Sequence, residues 1–326
     1  MRAMRSGCRM LGLALVTMVL AVAGAHAALA AAFPEKPVTL VVTWPAGGGT
    51  DVSGRAVAKY MEGPLGQPIV VVNKPGGGGV VGTLEVERAR PDGYTLVVCT
   101  STTINTQYVG NVHNDIKKLT PIGLYGFDAG ALTVRAESPW KSLKEFVAHA
   151  KANPGKLRNA NDPPGGFSHI AVTGLEKAAG IKITQVPYGG FAPSVAALLG
   201  GHVESTTVPV PDVAKHHQEG KLRVLGVMSE KRHFLIPQVP TLKEEGIDLS
   251  FGIWRAYCVP GGTPPDVVTT LERAFLKATE HPEFKGFMEK SGWFVAPMGS
   301  KETAGFFVKE DRRIHAMLKE MGLTAK

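Results

Sequence analysis

Two kinds of segment alternate along this chain, and that alternation restricts the fold more than any other feature. Residues 38–43, 69–73, 95–99, 131–135, 182–186 and 222–227 are near-continuous apolar or β-branched runs. Such runs suit strands that are covered on both faces. Between them, residues 51–65, 142–152, 168–179, 192–199, 264–279 and 301–321 carry apolar residues at three-to-four spacing. Several of these stretches open on a Ser, Thr or Asp cap or on a first-turn Pro, as helices do. Strand and helix in turn predict an α/β fold with parallel pairing and right-handed crossovers. The 326 residues suit about two domains. No linker rich in Ser, Pro or charge divides the chain, so two α/β lobes joined by strands that cross more than once are expected.

The first 32 residues stand apart from this pattern. Arg2, Arg5 and Arg9 form a basic start, residues 10–22 are an apolar run, and Ala25-His26-Ala27 is a small-x-small cleavage pattern with further options up to Ala32. Residues 1–32 therefore read as a signal peptide cut between 27 and 32. The apolar run is shorter than the roughly 20 residues of a membrane span, so an exported protein is expected. Cys8 precedes the apolar run, which argues against a lipid anchor.

Losing the three leader arginines lowers the net charge from +8 to +5. The densest basic groups, Lys117-Lys118 and Lys231-Arg232, are short and lack interleaved aromatics, which argues against a nucleic-acid partner. A mild positive field suits anionic small molecules, or is simply a solvated surface. Cys99 and Cys258 remain after processing, each in a strand-like run. They either pair in an oxidising compartment or serve as small apolar core residues.

The segment Thr43-Trp-Pro-Ala-Gly-Gly-Gly-Thr-Asp51 leads from the first strand into the first helix. Gly47, Gly48 and Gly49 carry no Cβ, so backbone N–H groups are open to a ligand, and the helix start adds partial positive charge. An anion fits there. Thr50 offers a hydroxyl, and Asp51 caps the helix or stiffens the loop by accepting N–H bonds. A plain tight turn is the other reading. A second run, Lys74 to Gly82, contains Gly77-x-Gly79-x-x-Gly82, which matches a dinucleotide fingerprint and raises an exported NAD-dependent oxidoreductase as an alternative. The next strand ends at Cys99-Thr100 without the acidic residue that such a site needs, so the run reads as a close-packed turn. Gly166-Phe-Ser168-His-Ile170 lacks the second glycine of a nucleophile elbow. His216 and His217 are adjacent and read as a surface pair rather than metal ligands. No metal site, cofactor or catalytic constellation is expected, so the protein reads as a binder and not an enzyme.

Taken together, Pro-Ala-Gly-Gly-Gly-Thr-Asp51, Leu65-Gly-Gln-Pro-Ile-Val-Val-Val-Asn-Lys-Pro-Gly-Gly-Gly-Gly79 and Arg90-Pro-Asp-Gly-Tyr-Thr-Leu96 resemble the solute-binding proteins of tripartite tricarboxylate transporters, the Bug family. The resemblance continues through Ala152-Asn-Pro-Gly-Lys-Leu157, Leu198-Leu-Gly-Gly-His-Val203, Val239-Pro-Thr-Leu242 and Val259-Pro-Gly-Gly-Thr-Pro264, and spans the mature chain. It implies a type II periplasmic-binding fold with a ligand cleft between lobes, here 33–127 plus 252–326 for one and 128–251 for the other. It also implies a periplasmic monomer that hands a small carboxylate to a membrane permease, with a sensor kinase as the alternative partner. Carried onto this sequence, the site comprises Trp44, Ala46, Gly47, Gly48, Gly49, Thr50 and Asp51, then Thr100, Ser101 and Thr102. Ser168, His169, Tyr188 and Thr206 come from the second lobe.

Three departures from the family pattern bear on the ligand. Trp44 is able to stack on a flat one, and Arg255 to pair with a second carboxylate or to stand exposed at the hinge. The strand after Val203 reads Glu204-Ser-Thr-Thr-Val-Pro209 and lacks the acidic residue that many relatives of the family place in this strand, where it could receive an amino group. A carboxylate without an amino group, with aromatic acids and dicarboxylates as candidates, is therefore expected.

Overall fold

A computed structural model describes residues 33–109 and 114–324; the leader assigned to 1–32 lies outside the described residues. From Lys36 on, the elements are β1 (Val38–Val42), α1 (Gly49–Leu65), β2 (Ile69–Asn73), α2 (Val80–Glu87), β3 (Thr95–Thr100), α3 (Ser101–Asn105), β4 (Leu119–Arg135), α4 (Leu143–Ala152), β5 (Arg158–Asn161) and α5 (Phe167–Ala179). They continue as β6 (Thr184–Pro187), α6 (Phe191–Leu199), β7 (Ser205–Thr206), α7 (Val210–Gln218), β8 (Leu222–Met228), β9 (Gly252–Pro260), α8 (Pro265–Glu280), α9 (Pro282–Ser291), β10 (Phe294–Gly299) and α10 (Ser300–Glu320).

The strands form two sheets that share β4. In the first, β2, β1, β3, β9 and β4 lie side by side, with β10 also on β4. In the second, β8 and β7 pair with the end of β4, followed by β5 and β6. The partner change falls within β4: residues up to Ala129 pair with β9, and residues from Gly130 pair with β8. The chain returns beside this point, where Gly130 N–H donates to Phe251 O at 3.0 Å and Phe251 N–H to Met228 O at 3.0 Å. Two strands thus pass between the lobes, in opposite directions.

Pairing is parallel where a helix crosses between strands, as β1 with β2 and β3, and β5 with β6 and β7. The crossing strands pair antiparallel, because the chain re-enters the first lobe through the seam by which it left. β4 is buried along nearly its whole length. Cys99 and Cys258 sit on adjacent strands of this core, both buried and both free thiols.

A candidate ligand site at the seam between the lobes

β1 ends at Val42, and the loop that follows runs into α1 through Gly48, an extended N-cap with no side chain to satisfy the first-turn N–H groups. Asp51, in that first turn, holds the loop in shape. It accepts Gly47 N–H at 3.0 Å, Asn73 Nδ2 at 2.8 Å and Arg55 Nε at 2.8 Å, and Asn73 also donates to Trp44 O at 2.9 Å. The helix start does carry an anion, and the chain supplies it. Gly49 N–H donates to Asp212 Oδ1 at 3.0 Å, across 163 residues of sequence, from the first turn of α7 in the second lobe. A Cβ at position 49 would lie 2.9 Å from Asp212 Oδ2 and 3.0 Å from Arg255 Nη2, so glycine is what lets both side chains reach this corner.

Arg255, on β9, is 2% exposed and ion-pairs with Asp128 of β4, which settles it as a buried hinge residue rather than a solvated one. Asp162, following β5, exchanges two bonds with Ser168: it accepts Ser168 N–H at 2.9 Å, and its own N–H donates to Ser168 Oγ at 2.7 Å. Burial raises all three carboxyls, Asp128 and Asp162 up to about 6 and Asp212 up to about 7. The Arg255 charge pulls Asp128 and Asp212 back down, and the Ser168 bonds do the same for Asp162. Burial also pushes the Tyr125 hydroxyl up to about 12. Asp128 Oδ1, Asp162 Oδ1, Asp212 Oδ2, Arg255 Nε and Arg255 Nη2 are shut from solvent and have no hydrogen-bond partner.

The remaining residues expected at the site are distributed unevenly. Thr100 caps α3, accepting Thr102 N–H at 3.2 Å, and leaves Ser101 Oγ and Thr102 Oγ1 buried without partners. His169 Nδ1 accepts Gly165 N–H at 3.4 Å, and burial lowers the pKa of its ring. Thr206 gives its hydroxyl proton to Ala160 O at 2.8 Å, inside the second sheet. Tyr188 is partly buried after β6, its N–H bonded to Asn161 O at 2.7 Å. The Trp44 ring stacks on Phe191 at 6.1 Å and 15°, so a side chain of the second lobe takes one face of the indole.

A void of about 10 Å³ lies between Trp44, Pro45 and Gly48–Thr50 on one side and Phe191–Pro193 on the other. The second glycine run forms a turn at Gly77–Gly79 that brings Gly78 against Pro164 O and the backbone of Gly166, so it is a contact between lobes. A cleft of about 620 Å³ opens beside this junction, and Gly47, Gly49 and Asp212 line it together with Lys215, Lys290 and Trp293. Of the residues expected from sequence, Gly47 and Gly49 face this cleft. Trp44, Ala46, Gly48, Thr50, Asp51, Thr100, Ser101, Thr102, Ser168, His169, Tyr188, Thr206 and Arg255 do not line it. Sequence reasoning missed Asp128, Asp162 and Asp212. Asp212 had one legible signal, an acid directly after Pro209-Val-Pro211 at a helix start. His216 and His217 belong to no cluster of metal-ligating side chains among the described residues, and no helix there is long and apolar enough to cross a membrane.

The chain is similar to known proteins in sequence and in backbone. The family described as tripartite tricarboxylate transporter family receptor matches residues 54–323. A Cupriavidus necator protein known from the gbd 5′ region is 37% identical over 317 residues, 96% of each chain. The periplasmic binding protein BugD superposes with a TM-score of 0.86 at 30% identity, covering 90% of this chain and all of that one. MatC from Rhodopseudomonas palustris, solved with bound malate, gives 0.82 at 27% identity, covering 88% and 100%. Rpa4515 from R. palustris, solved with adipate, gives 0.85 at 25%, covering 90% and 99%. Matched over most of its length in sequence and in backbone, the chain belongs to the tripartite tricarboxylate transporter receptor family, solute-binding receptors with the periplasmic binding protein fold.

Proposed function

We propose that this protein captures a small carboxylate between its lobes in the periplasm and presents the closed form to the membrane permease of a tripartite tricarboxylate transporter. The observation that carries the reading is the carboxylate already seated on Gly49 N–H at the start of α1. A helix N-terminus reached through three glycines holds a carboxylate by its backbone alone, and a free one is recognised by the same donors. The malate and adipate found in the two R. palustris relatives are ligands of this class. The partner change of β4 at Ala129–Gly130 and the return of the chain at Phe251 support lobe borders at 127/128 and 251/252.

Three or four charge-assisted hydrogen bonds at roughly 1.5–3 kcal/mol each, less ordering costs, are enough for micromolar affinity, about −8 kcal/mol. At a hundredfold excess over Kd, such a ligand stabilises the fold by about 2.7 kcal/mol, several degrees in Tm. A thermal-shift series of aliphatic and aromatic mono- and dicarboxylates, with and without amino groups, tests this. At least one carboxylate is expected to raise Tm in proportion to the logarithm of its concentration. Gly49→Ala, which forces Asp212 and Arg255 off the corner, is expected to abolish the rise. A wild-type protein indifferent to every member of the series sinks the proposal.

A further inference from the structure

We propose that Cys99 and Cys258 join in a disulfide when this chain folds in an oxidising compartment, and that the bond ties β3 to β9 around the whole second lobe. The two thiols are free and buried here. The inference concerns the core of the first lobe and is independent of which ligand the protein binds.

The first argument is register. β3 and β9 run antiparallel, with Val97 opposite Cys258 and Cys99 opposite Ala256. Cys99 and Cys258 therefore share one face of the sheet as diagonal neighbours. Such neighbours have Cα atoms about 7–8 Å apart and Cβ atoms closer, just beyond the roughly 4.4–6.8 Å that a disulfide spans. The side chains have already covered most of that difference, because the two thiols are in hydrogen-bond contact. Bond formation then asks only for a small approach of adjacent strands. The second argument is number. Outside the leader assigned to 1–32 these are the only cysteines of the sequence, so oxidation has one product within the chain and leaves no thiol over.

The third argument is chemistry. Both residues are 0% exposed, and burial together with the adjacent Cys99 thiol pushes the Cys258 thiol well up, so the folded protein offers an oxidant no thiolate there. Exchange therefore takes place before β9 packs on β3, with an external disulfide, RS–SR, as the oxidant. One cysteine thiolate displaces RS⁻ to give a mixed disulfide, and the other cysteine displaces the second RS⁻. The Cys99–Cys258 bond forms, the RS–SR bond breaks, and the two thiol protons leave on two RSH molecules. Packing of the core then shuts the bond away from reductants. Cys99 and Cys258 are 159 residues apart in sequence, and the second lobe lies wholly between them. Closing so long a loop removes much of the freedom of the unfolded chain, which is how a cross-link of this kind stabilises a fold.

Thiol mapping tests the inference. The full chain, exported with its own leader and collected without reductant, is denatured in the presence of N-ethylmaleimide and mapped by peptide mass spectrometry. The peptides bearing Cys99 and Cys258 are expected to be joined in most molecules and to take up maleimide only after reduction. Maleimide on both cysteines in most molecules before reduction overturns the inference, as does a bond from either cysteine to a second molecule. Equilibrium urea unfolding with and without a phosphine reductant tests the tie itself. Reductant is expected to lower the wild-type midpoint by roughly 1 M. The double variant Cys99→Ala, Cys258→Ala is expected to show the same midpoint in both conditions. A wild-type midpoint indifferent to reductant overturns the tie around the second lobe. Should the double variant fail to fold, the mapping and the wild-type midpoints decide alone. Failure of every carboxylate in the thermal-shift series leaves these readouts untouched, so the two proposals fall separately.

Discussion

Arg255 is the residue on which the buried charges depend. It stands 2% exposed on a crossing strand, bound to Asp128, with Asp212 close enough to feel its charge. Taking a guanidinium out of water is costly, and the ion pair offsets that cost only while both members are present. Arg255→Met is therefore expected to destabilise the fold by roughly 3–5 kcal/mol, because Asp128 is left buried without a counter-charge. Arg255→Met combined with Asp128→Leu is expected to cost less than Arg255→Met alone. Urea unfolding of these two variants and of Asp128→Leu decides this, and additive losses would show that the pair does not act as a unit. Arg255 was legible from sequence as a candidate for a second carboxylate, but not the fact that the chain itself provides one. Asp128 and Asp212 are 84 residues apart, and no spacing rule joins them.

At the scale of elements, the strands visible in the sequence are those with near-continuous apolar or β-branched runs: β1, β3 and β8, which are buried, and also β2 and β6, which are partly exposed. β5 reads Arg-Asn-Ala-Asn and was passed over, because the side chains that fill its buried positions are polar and bond to neighbours: Asn159 to Ser205 at 3.0 Å and Asn161 to Gln185 at 2.7 Å. The first two-thirds of β4 was also missed. Pro121, Gly123 and Gly126 interrupt its apolar pattern, yet the two glycines are the places where the Phe275 ring and the Phe294 backbone press against the strand.

Closure is likewise an element-scale property, the loop before α1 meeting the start of α6. The Trp44–Phe191 stack joins them, and Phe191 is braced in turn by Phe167 at 5.8 Å. Trp44→Ala, Phe191→Ala and the double variant are expected to show a coupling energy of about 0.5–1.5 kcal/mol in unfolding. Both single variants should also enlarge the radius of gyration of the unliganded protein by loosening the closed form. A coupling of zero would mean that the two rings are neighbours without being partners.

The molecule as a whole stores its pH response at the seam between its lobes. Asp128, Asp162 and Asp212 have folded-state pKa values raised to about 6, 6 and 7 from an ordinary 3.8. Between these limits the folded protein binds more protons than the unfolded chain, so stability falls as pH rises, and the loss is complete only above about 7. His233, which is buried, and the half-buried His169 and His217 act in the opposite sense. His233 is lowered to about 4, and His169 and His217 are lowered as well, so the stability they confer is present above about 6.5 and is lost as pH falls. The two sets oppose each other between pH 4 and 6.5, whereas above 6.5 the carboxyls act alone. Thermal unfolding at constant ionic strength is thus expected to give a Tm that declines from pH 6.5 to pH 8. Since Asp212 has the highest of the three values, the steepest part of that decline should fall near pH 7. A Tm that rises steadily from pH 6.5 to 8 would place the dominant titrating groups elsewhere than at Asp128, Asp162 and Asp212.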